Sequence, residues 1–61
     1  MTDADLQRVR DFMQRYAPVA DSATDLAEMT ATKLDLDAEL DDPESDIWDL
    51  ALESIEAVEE D

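Results

Sequence analysis

Residues 42–58 read Asp-Pro-Glu-Ser-Asp-Ile-Trp-Asp-Leu-Ala-Leu-Glu-Ser-Ile-Glu-Ala-Val, and this run sets the fold class. Asp42 is a natural N-cap, Pro43 suits the first helical position, and Glu44 and Asp46 suit a first turn facing the positive end of the helix dipole. No further breaker follows, so the run predicts a helix over about residues 43–58 that frays into Glu59, Glu60 and Asp61. Asp49, Glu53 and Glu56 form a narrow polar strip. Ile47, Trp48, Leu50, Ala51, Leu52, Ser54, Ile55, Ala57 and Val58 fill the remainder, about 220° of arc at 100° per residue. That arc is too wide for one neighbouring helix. It predicts a central helix touched on two sides, or one that meets another chain along a flank formed by Trp48, Leu52 and Ile55.

Upstream, the same logic yields two more helices. Ser22 with Asp25 is a capping pattern, and Ala23, Leu26, Ala27, Thr30 and Leu34 recur at helical spacing, with Met29 at the edge. Leu36 and Leu40 can extend that face, so the second helix is predicted over about residues 22–38, its end falling between Leu36 and Leu40. The first helix is predicted over about residues 3–16. Thr2 caps it, Asp5 completes a variant capping box, and Leu6, Val9, Phe12, Met13 and Tyr16 form a stripe about 140° wide. Pro18 ends it by pushing the preceding residue out of the helical region. The connections are short, which favours antiparallel neighbours. The expected fold is all-α: one domain over residues 1–61, a small three-helix bundle or open helical array, completed by self-association.

Composition explains the need for that last step. A chain of 61 residues buries only about 60% of its unfolded surface and usually leans on disulfides, a metal or oligomerisation. With no Cys and no His, disulfides and thiolate or imidazole metal sites are excluded, and a homodimer or a protein partner remains. The absence of Gly argues against hairpins and phosphate-cradling loops. No stretch approaches the roughly 20 apolar residues of a membrane span. Residues 1–5 also lack the basic and apolar regions of a signal peptide, so the expected location is the cytoplasm.

Net charge is −15, from 19 acidic and 4 basic residues. It is distributed unevenly. Residues 1–20 balance Asp3, Asp5 and Asp11 against Arg8, Arg10 and Arg15, whereas residues 21–61 set every other acid against Lys33 alone. The three arginines are too few for a nucleic-acid patch, and direct nucleic-acid binding is not expected. They are expected to pair with carboxylates of the second and third helices.

Chemistry-bearing motifs are scarce. Nucleophilic catalysis needs a positioned base, and Ser22, Ser45 and Ser54 have only Lys33 to draw on, so the chain reads as non-enzymatic. Residues 35–42 place acids at alternate positions as a calcium loop does, but Leu40 stands where the sharp turn needs Gly and the final ligand would be Asp46 rather than a bidentate Glu. These residues read as a solvated turn, and no cofactor or metal is expected. Asp21-Ser22 ahead of an acidic helix resembles, over two residues, the attachment serine of acyl carrier proteins. Ala20 and Ala23 stand in place of the flanking glycine and leucine, and Ser22 reads as an N-cap.

The acidity itself admits two explanations. One is salt adaptation, in which carboxylates hold a water layer in a halophilic setting. The other is recognition of a basic partner, since an acidic surface speeds such encounters. Asp46, Asp49, Glu53, Glu56 and Glu60 trace one exposed edge, and Glu28, Thr32, Asp35 and Glu39 trace another. The function expected first is a non-catalytic protein-interaction or regulatory module with a salt-adapted acidic surface. Second is a nucleic-acid mimic that blocks a basic DNA- or RNA-binding protein, and third a small structural subunit of a larger assembly.

Overall fold

The computed structural model describes residues 1–60. Among them the chain is helical with no strand: α1 (Asp3–Tyr16), a 3-10 turn (Ala17–Val19), α2 (Ala23–Leu34), α3 (Asp37–Leu40) and α4 (Asp46–Glu59). The body measures 30 × 20 × 18 Å.

The Thr2 hydroxyl accepts from the Asp5 N–H at 3.2 Å and starts α1. Val9 and Met13 are fully buried, Leu6 and Phe12 half-buried, and Tyr16, at the end of the stripe, remains 44% exposed, its ring stacked on Phe12 with centroids 4.4 Å apart. Pro18 does not simply stop the helix. It sits in the 3-10 turn, which closes when the Ala20 N–H reaches the Tyr16 and Ala17 carbonyls at 3.1 and 3.2 Å.

Two boundaries depart from the sequence expectation. The second helix ends at Leu34 rather than near residue 38, because Asp35 adopts the left-handed conformation (φ 59°, ψ 45°). The Leu36 N–H then bonds back to the Ala31 carbonyl at 2.8 Å, the long closure of a Schellman-type end. Asp is among the few residues other than Gly that enter this region readily, because its short polar side chain tolerates it. Leu36 and Leu40 therefore do not extend α2. Leu36 is the N-cap and Leu40 the last residue of the separate one-turn helix α3, and both still pack against the core, so a fourth helix stands where three were expected.

The last helix starts at Asp46, with Ser45 as its N-cap, rather than at Pro43 behind Asp42. The Asp42 carboxylate is spent locally, accepting from the Glu44 N–H at 2.9 Å, while its carbonyl accepts from the Ser45 N–H at 3.1 Å. Asp42-Pro43-Glu44-Ser45 is thus a tight turn with Pro in its favoured second position.

The buried apolar residues are Val9, Met13, Ala17, Leu26, Ala27, Ala31, Ile47 and Ala51. Four of these are alanines, drawn from the 3-10 turn, α2 and α4, and their small side chains let the elements approach closely. α4 packs chiefly on α2 and also touches α1, the 3-10 turn and α3, which accounts for the breadth of its apolar arc. Two hydroxyl residues are buried, Thr30 within α2 and Ser45 at the start of α4. Thr30 is fully buried and its Oγ1 donates to the Leu26 carbonyl at 2.7 Å, so its polarity is satisfied within α2.

Candidate interaction surface

α4 and its C-cap project Asp46, Asp49, Glu53, Glu56 and Glu60 at alternating three- and four-residue intervals, and all five are exposed. That spacing keeps them within one face. Beside the N-terminal part of this edge, Leu6, Arg10 and Leu50 share a shallow groove with Asp46, Asp49 and Glu53. Arg10 nevertheless comes within 4.0 Å of none of these carboxylates.

The arginines do not pair as expected. Among the described residues, the one arginine ion pair is Arg8 with Asp5, at 3.7 Å and within α1. Helix packing is therefore set by apolar faces, and the charge of α4 is left without a close internal counter-ion. The second acidic edge is interrupted as well. Glu28, Thr32 and Asp35 are exposed on α2 and its cap, but the left-handed turn at Asp35 redirects the chain, and Glu39 turns inward. Its carboxylate accepts from Ser45 Oγ at 2.6 Å and lies 3.9 Å from the Met1 amine.

The apolar flank of α4 is split in its burial. Trp48 is half-buried, packs against the core and donates from Nε1 to the Asp42 carbonyl at 2.9 Å. Its ring also lines a shallow notch with Leu40, Asp41 and Pro43. Ile55 is half-buried against the same core, and Leu52 stands 51% exposed. Trp48 thus has a structural anchor and an accessible edge together, which its spacing in the sequence could not distinguish.

Among the described residues, no group of three or more acids converges in a way that could hold a metal ion, residues 35–42 included. Of the serines, Ser22 and Ser45 cap α2 and α4, and among the described residues no helix is long and apolar enough to cross a membrane. One feature escaped the linear reading. A notch between the end of α1, the 3-10 turn and the last turns of α4 is lined without any charged residue. In the sequence its traces are the zero net charge of residues 1–20 and the uncharged Ser54, Ala57 and Val58 in the arc of α4.

Compared with known protein families, curated proteins and solved structures, the chain matches none.

Proposed function

We propose that this chain is a non-catalytic protein-interaction module that engages a basic partner through α4. The observation that carries this reading is the pairing of two features on one helix: five exposed carboxylates along one face, and the 51% exposed Leu52 with the edge of Trp48 on the face beside it. The carboxylates draw a cationic surface in, and the apolar flank supplies contact area that long-range charge cannot. Interfaces that last need such an apolar centre within a polar rim.

A nucleic-acid mimic is the second reading, favoured by the alignment of the five carboxylates. From Asp46 to Glu60 the helix rises about 21 Å, so charge recurs about every 5 Å, against one per about 1.7 Å of duplex axis. With the α2 edge interrupted at Asp35, this density supports the protein-binding reading over the mimic.

The test is a titration with a synthetic helical peptide of alternating Leu and Lys faces, followed by Trp48 fluorescence. Wild type is expected to show a saturable change that weakens with added KCl. Leu52→Lys, and separately the triple change Asp49→Asn, Glu53→Gln, Glu56→Gln, should each weaken binding at least about tenfold, the equivalent of about 1.4 kcal/mol. No fluorescence change with the peptide, or one indifferent to both variants, overturns the reading. Competition by duplex DNA for the peptide, unchanged by Leu52→Lys, would transfer support to the mimic.

A further inference from the structure

The notch at the far end of the helices is chemically unlike the rest of this surface. α1 contributes Met13 and Gln14 to it, the 3-10 turn Ala17 and Pro18, and α4 Ser54, Ala57 and Val58. None of these seven side chains carries a charge, in a chain with 19 acids among 61 residues. Its floor is the fully buried Met13 and its rim is apolar and open: Val58 is 38% exposed, and Val19, adjoining Pro18, is 72% exposed, the highest among the large apolar residues.

We infer that this face is where two copies of the chain meet. The choice of occupant follows from charge. A basic partner gains nothing from a lining with no carboxylate, so the partner class assigned to α4 does not fit here. A second copy is constrained in the opposite sense. Two chains of −15 each repel, and a symmetric interface sets every patch against itself, so an acidic patch would oppose its own charge. Self-association is therefore confined to surface free of unbalanced like charge. This notch is such a surface: four of its seven lining residues come from residues 1–20, the segment with no net charge, and the adjoining groove that shares Gln14, Ser54 and Ala57 holds Arg10 as well as Glu53. A standard interface takes about 800 Å² from each partner, near a fifth of the 4193 Å² exposed here. The contact therefore extends past the notch, to Val19 and to the groove that Arg10, Leu50 and Glu53 line. The flank of Trp48 and Leu52 is unsuited to the same role, because Asp49 and Glu56 beside Leu52 would face their own copies.

Sedimentation equilibrium over a wide concentration range, at about 0.1 M and about 1 M KCl, tests this directly. The apparent mass is expected to rise from 6.9 kDa towards twice that value, at lower protein concentration in the higher salt because repulsion is screened. Ala57→Arg is the informative variant. It makes the net charge less negative, which alone would favour association, yet it places a like charge in both halves of the contact. Ala57→Arg and Ala57→Glu should both hold the mass at 6.9 kDa, while Leu52→Glu leaves the doubling intact. Ala57 is exposed, so the fold is expected to survive, and far-UV circular dichroism checks this. Should either Ala57 variant unfold, Gln14→Glu, also on the exposed lining, makes the same test. A monomer at every concentration and salt overturns the proposal. So does a dimer that survives the Ala57 variants and dissociates on Leu52→Glu, which would move the contact to the α4 flank.

Discussion

The Ser45 hydroxyl donates to the Glu39 carboxylate at 2.6 Å, and the same oxygen accepts from the Ile47 N–H at 3.4 Å. One side chain, 7% exposed, thereby ties α3 to the N-terminus of α4. The short helix is too small to hold itself, so this tie and the packing of Leu36 and Leu40 keep it in place.

Ser45→Ala removes a cap and a hydrogen bond to a charged group together, and should destabilise the chain by about 1–2 kcal/mol. Glu39→Gln retains an acceptor and should cost less than Ser45→Ala. Urea denaturation at fixed KCl checks both. A loss below about 0.5 kcal/mol for Ser45→Ala would show that the cap is not held in solution.

Asp35 bears two local penalties, a left-handed backbone that disfavours its Cβ and a negative charge at the negative end of α2. Asp35→Gly should relieve both and raise stability by about 0.5–1 kcal/mol, net of the added freedom of Gly in the unfolded chain. Asp35→Ala keeps the Cβ and should gain less. The two thermal midpoints, measured in one buffer, separate backbone from charge: equal midpoints would mean that charge alone matters.

Two of the large aliphatic residues of α4, Ile47 and Leu52, should differ sharply in their response to truncation. Ile47 is fully buried, and Ile47→Ala should cost about 2–5 kcal/mol, enough to unfold so small a domain. Leu52 is 51% exposed, and Leu52→Ala should cost under about 1 kcal/mol while weakening peptide binding. Far-UV circular dichroism of both, alongside the Trp48 titration, distinguishes core from contact. A Leu52→Ala chain that unfolds would place Leu52 in the core.

Salt should stabilise the whole chain. With −15 net charge and few internal ion pairs, repulsion among the α2, α3 and α4 carboxylates opposes folding, and the screening length falls from about 10 Å at 0.1 M to about 3 Å at 1 M. The thermal midpoint is therefore expected to rise steadily with KCl. If helicity develops only in molar KCl, the acids serve chiefly to suit the chain to salt, and support for recognition by α4 falls. Full helicity at about 0.05 M KCl would strengthen the case for a basic partner.

Local rules reached far in this chain because helices are governed by short-range chemistry. Thr2 and Ser22 act as caps at the positions their Ser/Thr-x-x-Asp patterns indicate, and the exposed face of α4 follows from a 3.6-residue period. All-helical structure was legible for the same reason. The ends of elements near residues 35–46 were not, because several acids there could cap with equal local merit. Asp42 caps a turn and Ser45 caps the helix, a choice that depends on Glu39 arriving from α3 to accept the Ser45 hydroxyl. Whether Trp48 anchors or binds, why Arg8 pairs within its own helix, and how the neutral residues of two distant segments meet in one notch are likewise outcomes of packing. Each depends on which faces come together, and that is decided by contacts between residues far apart in the chain rather than by the preferences of any single stretch.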